Sequence, residues 1–438
     1  MTEKDTKMDK IVSLCKRRGF VFQGSDIYGG LKGTWDFGPL GVALNNNIKR
    51  EWWKMFVDSR EDIYGLDAAI LMNEKVWKAS GHTGAGFSDP VVVCTECNHR
   101  FRADHLEDAT ICPDCKGKLG DAKDFNLMFE TKVGAEGNVK SYLRPETAQG
   151  IFVNFKNVVD SMSPKIPFGI AQIGKAFRNE IAPREFLFRV REFEQMEIEY
   201  FVKEENWEEE FQKLLEDIRA WHKHIGLSDK NLREVEVEGN DLAHYSKRTI
   251  DFEYNYPSKG FDELAGFAYR TDHDLQNHIK ASGAKLEYIE PDGTRFVPHV
   301  LEPSFGVGRT FTAILSEAYT EDELNGETRT YLKLPVHLAP FRAAVSPLLK
   351  NKPELVEKAR EVFRMLKTEF GNIAWDDNGN VGKRYRRQDE IGTPYCIVID
   401  FDTLGEENPD MKDTVTVRDR DTGEQERIKI EDLVPYLT

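Results

Sequence analysis

Between Arg189 and Val202 the chain reads RVREFEQMEIEYFV, and its side chains sort by parity. Met196, Ile198, Tyr200 and Val202 form an apolar stripe, while Arg189, Arg191, Phe193, Gln195, Glu197 and Glu199 form a polar one. A period of two belongs to a β-strand, so one face is bound for a core and the other carries both signs of charge and one aromatic ring. Three more segments follow the same logic: SYLRPETAQ at 141–149, GIAQIGKAFRNEI at 169–181 and HVLEPSFGVGRTF at 299–311. In the second, Arg178 and Glu180 project the same way. In the third, Glu302 and Ser304 share a face, and glycines lead into a helix that opens with Arg309. A sheet face built like this suits a polyanion that carries a purine, and equally a small zwitterion.

A chain of 438 residues is long enough for two or three domains with ample core. Its net charge of −16 argues against a protein that coats nucleic acid generally, since phosphate contacts need Lys and Arg. A local basic surface is still available in Lys383, Arg384, Arg386 and Arg387 around Tyr385, a cluster that reads equally as a solvated face. No apolar run approaches the ~18 residues of a membrane span. The start, MTEKDTKMDK, has no apolar segment behind it and is not a signal peptide, so a cytoplasmic protein is expected.

Of six cysteines, Cys15 and Cys396 stand alone and read as small buried hydrophobes. The other four form Cys94-Thr-Glu-Cys97 and Cys112-Pro-Asp-Cys115. Two such turns present four thiolates, the set that a closed, structural tetrahedral zinc site needs. Disulfides are the alternative, disfavoured in an intracellular chain. His99 and His105 lie between the pairs and could replace one ligand.

Residues 8–18 have helical spacing and stop at Gly19, and a second helix is expected over VALNNNIKREWWKMFV. The zinc segment, about 91–120, reads as an insertion. Strand patterns dominate 125–202, an amphipathic helix runs to about Gly226, and further strands lead through FDELAGFAYR to EPSFG and its helix. Runs of strands flanked by helices indicate an α+β domain. Past the polar stretch TEDELNGETR, strands alternate with the helices PELVEKAREVFRMLKTEF and GKRYRRQDEIG, an α/β pattern.

The strings SDIYGG, TWDFGPLG, RPETAQG, FEQME and EPSFG together resemble the homodimeric type of glycyl-tRNA synthetase, a class II aminoacyl-tRNA synthetase. The resemblance runs nearly the whole length. It implies an antiparallel-sheet catalytic domain over 1–330 and an anticodon-binding α/β domain over 331–438. The activity implied is glycine–tRNA ligation, with ATP and Mg²⁺, structural Zn²⁺, tRNA(Gly) as partner and a homodimer formed through TWDFGPLG and the helix after it. A synthetase-like accessory or nucleic-acid-binding protein without catalysis is the alternative. Arg178, Glu180 and Arg309 are the implied catalytic residues. Arg178 would meet the α-phosphate, Arg189 and Arg191 the outer phosphates, and Arg309 would stack on adenine opposite Phe193. Glu180, Glu263 and Glu302 are candidates for the adenine amino group and for Mg²⁺. Asn179, Phe188, Val190, Glu192, Leu264, Gly306, Val307 and Gly308 complete the nucleotide site. For glycine, Glu146, Glu197 and Glu302 would surround the ammonium, Ser304 adds a neutral acceptor and Arg102 would pair with the carboxylate. Glu194, Gln195, Met196, Pro303 and Phe305 belong to the same strings.

Overall fold

A computed structural model describes residues 6–438 apart from 85–86, 107, 138, 184–185, 240–241, 244, 325 and 407, and the main chain alone of His105. Helix α1, Lys7–Arg18, starts from a Thr6/Asp9 capping box and ends where Gly19 turns left-handed at φ 78°. Helix α2, Pro39–Trp53, begins with proline in its first turn and buries Leu44, Ile48 and Trp52.

The centre is a seven-stranded sheet. Its strands are β1 Ile63–Gly65, β2 Phe168–Phe177, β3 Glu192–Val202, β4 Leu232–Glu236, β5 Arg248–Tyr256, β6 Gly260–Thr271 and β7 His299–Gly306. They lie in the order β4-β5-β6-β7-β3-β2-β1, every pairing antiparallel except β2 with β1. As the parity of β3 requires, Met196, Ile198, Tyr200 and Val202 are buried together in the main core. They share it with α2, with α4 (Trp207–His224) and with α6 (Val307–Ala318), the helix that leaves β7. The opposite face is apolar at one end only, where α3 (Ala148–Met162) and α5 (His273–Ser282) cover Phe168, Ile170 and Phe201.

Helix α3 interrupts 125–202, where strand patterns are expected to dominate. Its buried Ile151, Phe152, Phe155 and Val158 recur at three and four residues, the helical period, although aromatic and β-branched content disguises it. SYLRPETAQ is likewise not one strand. The strand Val139–Leu143 ends there, Arg144 to Thr147 turn, and α3 begins. Buried Arg144 holds the turn by donating to Lys175 O at 2.6 Å and Ala68 O at 2.7 Å. Its guanidinium passes so close to Gly174 that a Cβ there would sit 2.3 Å from Nη2.

The stretch TEDELNGETR is also more than a polar connection. It falls in a hairpin, Tyr319–Leu324 with Glu327–Leu332. Beyond it a second sheet takes the order β9-β8-β10-β11-β12, from β8 Ala343–Pro347, β9 Ile373–Trp375, β10 Tyr395–Ile399, β11 Thr414–Asp419 and β12 Gln425–Lys429. Strand β8 runs parallel to both neighbours, and α7, Pro353–Phe370, closes a separate core on it. A buried ionic cluster ties this unit to the hairpin. Arg329 pairs with Asp322 at 2.6 Å and Asp389 at 3.4 Å, and Arg418 takes Asp389 at 2.8 and 3.0 Å. Among the described residues, no helix is long and apolar enough to cross a membrane.

Candidate functional site

The uncovered end of the sheet face holds a cavity of about 560 Å³. Phe193, Gln195 and Glu197 of β3 supply its floor, flanked by Glu302, Ser304 and Gly306 of β7 and by Gly266, Ala268 and Arg270 of β6. Strands β3 and β7 pair so that Glu197 faces Ser304 and Gln195 faces Gly306. The cavity therefore has a carboxylate end toward Glu302 and an arginine end toward Arg309.

At the carboxylate end Glu146, Glu197, Glu302 and Ser304 are brought together. Ser304 Oγ donates to Glu197 Oε1 at 2.8 Å, and Thr147 Oγ1 donates to its other oxygen. Glu146 meets His82 Nε2 at 3.2 Å and accepts from Gln149 Nε2 at 3.1 Å. Arg270, missed from sequence, is the central cation: Nη1 reaches Glu302 at 2.7 Å, and Nε and Nη2 reach Asp274 at 2.8 and 2.9 Å. Burial, with Glu146 beside it, holds Glu197 above the usual carboxylate range. Burial likewise raises Glu302, against the pull of Arg270. Burial opposes ionisation of Glu146 too, but His82, Arg270 and Gln149 outweigh it and the net shift is downward. Carboxylates outnumber cations here, so the site suits a small cation with several N–H donors.

At the other end Arg178 lies 5.4 Å from the Phe193 ring and 5.6 Å from Phe87, anchored by Nε on Pro145 O at 3.1 Å. Arg309 pairs with Glu263 at 2.9 Å and lies 4.4 Å over Phe188. Arg189, Val190, Leu264 and Gly308 also line this end. Burial raises Glu180, with Arg178 and Arg189 pulling the other way, and Asp251 is pushed up to about 7 by burial and by Glu263. Arg102 reaches the cavity wall from the zinc segment, paired with Asp89 at 2.9 Å and Asp104 at 2.6 Å.

Several expected residues do not line the cavity. Met196 and Phe305 point through the sheet into the main core, as their parity demands, and Val307 joins them there. Pro303 and Asn179 are not among the lining residues. Glu192 pairs outside with Lys175. Arg191 bonds Lys32 O at 2.6 Å and Glu180 O at 3.0 Å, bracing the wall instead of facing the cavity. Glu194 borders the cavity, yet its carboxylate belongs to Asn45 and Lys49 of α2, at 2.9 and 3.0 Å. Glu302, offered also for Mg²⁺, sits with Arg270 at the carboxylate end, away from Arg178 and Arg309.

The four clustered cysteines converge, Cys94 Sγ to Cys115 Sγ at 3.4 Å and Cys97 Sγ to Cys112 Sγ at 3.7 Å. Sulfurs ~2.3 Å from a tetrahedral zinc lie roughly 3.8 Å apart, so the set fits. His99 turns away to Asp114 at 2.5 Å, and the side chain of His105 lies outside the described residues. Cys15 and Cys396 are buried in the cores.

The basic cluster is mostly spent inside the protein. On helix α8, Val381–Ile391, Arg384 is buried and caps main-chain carbonyls of Pro347 and Gly379 at 2.5 and 2.8 Å. Arg387 pairs with Asp376 at 2.6 Å and Arg386 with Glu327 at 3.0 Å, while Lys383 is exposed.

Residues 129–318 match the family described as the tRNA synthetase class II core domain (G, H, P, S and T), and residues 342–438 match an anticodon binding domain. Similar curated proteins are the glycine–tRNA ligase of Thermobifida fusca, 48% identical across 100% of this chain and 98% of that one. Those of Deinococcus radiodurans, at 46% over 99% and 98%, and Clostridium perfringens, at 49% over 97% and 97%, are comparable.

Proposed function

The chain belongs to the glycine–tRNA ligases of the class II aminoacyl-tRNA synthetases, and from that premise we propose how its cavity works. The enzyme activates glycine with ATP to glycyl-adenylate, releasing pyrophosphate, and passes the glycyl group to the 3′ end of tRNA with release of AMP. The observation that carries the proposed geometry is the meeting of Glu146, Glu197 and Glu302 with Ser304 at one end of the cavity. Glycine has no side chain to grip, so its ammonium and carboxylate must supply the recognition. Three carboxylates would hold the ammonium, and a rigid wall would leave no room for an added methyl.

With the ammonium at that end, the glycine carboxylate points along β3 toward Arg178. An arginine fork there would hold the α-phosphate and disperse charge as the carboxylate oxygen attacks and pyrophosphate leaves. Arg189 would meet the outer phosphates, and Phe193 and Arg309 would bracket adenine once Arg309 swings from Phe188. Glu180 and Glu263 would hold Mg²⁺, which neutralises phosphate charge when bound. Arg102 would face the substrate carboxylate.

We assign residues 1–330 to catalysis and 331–438 to tRNA contact, where Lys383 is the exposed member of the α8 cluster and Arg384 is withdrawn from that role. Four thiolates would hold one structural Zn²⁺. A homodimer is supported by large apolar side chains left in solvent on the segment before α2, Ile27 and Tyr28 at 89% and 87% exposed, and by half-exposed Val42 on α2 itself. The cytoplasm, where tRNA is charged, is the proposed location. Glycine-dependent ATP–pyrophosphate exchange tests the reading. Exchange with alanine or serine instead would reassign the amino acid, and none at all would return the chain to an accessory role.

A further inference from the structure

Glu199 lies one step beyond Glu197 on the same face of β3, opposite Ile170 of β2. It is fully buried, and neither of its carboxylate oxygens has a hydrogen-bond partner among the described residues. It does not line the cavity; it sits behind it. One carboxylate oxygen each of Glu197, Glu199 and Glu302 lies within 4.8 Å of the others. The charged groups that face Glu199 are Glu197 on its own strand, Glu302 on β7, Arg270 on β6 and Asp274 on α5.

Arg270 faces it but makes no hydrogen bond to it. Its Nε and Nη2 go to Asp274 and its Nη1 to Glu302. A carboxylate in a dry interior that accepts no hydrogen bond and faces more negative than positive groups is among the costliest arrangements in a protein, and taking up a proton removes most of that cost. With its own hydrogen, Glu199 becomes a donor beside a carboxylate that has an oxygen to spare.

We propose that Glu199 is a positioning residue for glycine activation: a neutral carboxylic acid that donates its O–H to Glu302 and so aims that carboxylate at the substrate ammonium. The inference rests on the reading of this end of the cavity as the glycine site. Burial, with Glu302 next to it, holds Glu199 well above the ordinary carboxylate range. Of the two, Glu302 is the one paired with a guanidinium at 2.7 Å, so the proton resides on Glu199. The arrangement also sets the charge of the subsite, because an ionised Glu199 would add a negative charge that the ammonium cannot touch.

The test compares Glu199→Gln, Glu199→Asp and Glu199→Leu in the full-length enzyme, by KM for glycine and KM for ATP in pyrophosphate exchange. A hydrogen bond to a charged group is lost in the leucine variant, which raises the glycine KM roughly 10- to 100-fold with ATP KM unchanged. Gln restores a neutral donor of the same length and should bring glycine KM back to within about threefold. Asp keeps the acid but shortens its reach, and should behave like Leu. Infrared difference spectra of glycine binding should contain a protonated-carboxyl band that the Gln variant lacks. Activity in Asp with failure in Gln would overturn the proposal, since it would make Glu199 an anion. Equal movement of both KM values, or no protonated-carboxyl band, would also overturn it. Should the leucine variant not fold, the contrast of Gln with Asp decides alone. Absence of glycine-dependent exchange in the unaltered enzyme would instead remove the glycine reading itself.

Discussion

Replacing Glu302 with Gln takes one negative charge from the cavity and almost no volume. The side chain is buried and its Oε1 meets Arg270 Nη1 at 2.7 Å. A Gln carbonyl in that position still accepts from Arg270, which keeps both bonds to Asp274, so the fold should hold. What disappears is charge facing the ammonium. Losing one partner of a desolvated charge pair typically costs ~2–5 kcal/mol, or roughly 30- to 5,000-fold. Glu146 and Glu197 remain, which places the expected loss near the lower half of that range, roughly 100-fold in kcat/KM for glycine. Pyrophosphate exchange measured against both substrates, with thermal unfolding alongside, gives the answer. ATP KM should stay put, and the midpoint should not fall, because burial already disfavours the charged form of Glu302. A glycine kcat/KM within threefold of the parent, or an equal loss toward ATP, would refute the reasoning.

Arg178→Ala should abolish exchange even at saturating glycine, since its partner is phosphate charge in the transition state; full recovery at high glycine would contradict this. Metal analysis should find one zinc per chain, lost in Cys112→Ser. That variant should also show weaker substrate activation, because the strands Ser88–Val93 and Arg100–Arg102 carry Asp89 and Arg102 from the sulfurs to the cavity wall. Light scattering should give a dimer at micromolar concentration, and Tyr28→Asp with Ile27→Asp should shift it to monomer; a monomeric parent would sink the interface. Burial raises Glu197, Glu199 and Glu302 above 4.5, while Glu146 is drawn below it and Arg270 stays charged. Acids with raised folded values bind protons more tightly folded than unfolded, so this part of stability is full below pH 4.5, the unfolded value, and is lost as pH rises through the folded values. The thermal gain from glycine should therefore grow from about pH 6 to about pH 8.5, and a flat gain would count against it.

Where a period of two carries the information, the sequence is a good guide. Glu197 and Ser304 face each other across β3 and β7 because both sit at cavity-facing parity, and the same rule sends Met196 and Phe305 to the core despite the strings that contain them. Arg270 obeyed that rule too, in step with Gly266 and Ala268, but a single cation closing an apolar strand looks like an ordinary strand end. Helix α3 was hidden because AQGIFVNFKNVVDSM is rich in residues that favour strands, and tertiary packing overrode that preference. Arg384 shows another limit. Four charges in five residues on α8 look like a surface, and nothing local reveals that one of them threads back to the carbonyls of Pro347 and Gly379.

The ionic cluster of Arg329, Asp389 and Arg418 bears on where the chain can bend. A hinge works where a few residues can change their backbone angles without stranding anything. Here, swinging the second sheet away from the hairpin would take Asp389 and the Arg420 carbonyl from Arg329 Nη1, stripping a buried guanidinium nitrogen of its partners. On the proposed division of labour, the unit that meets the tRNA is thus clamped to the hairpin before it, like a blade pinned to its handle.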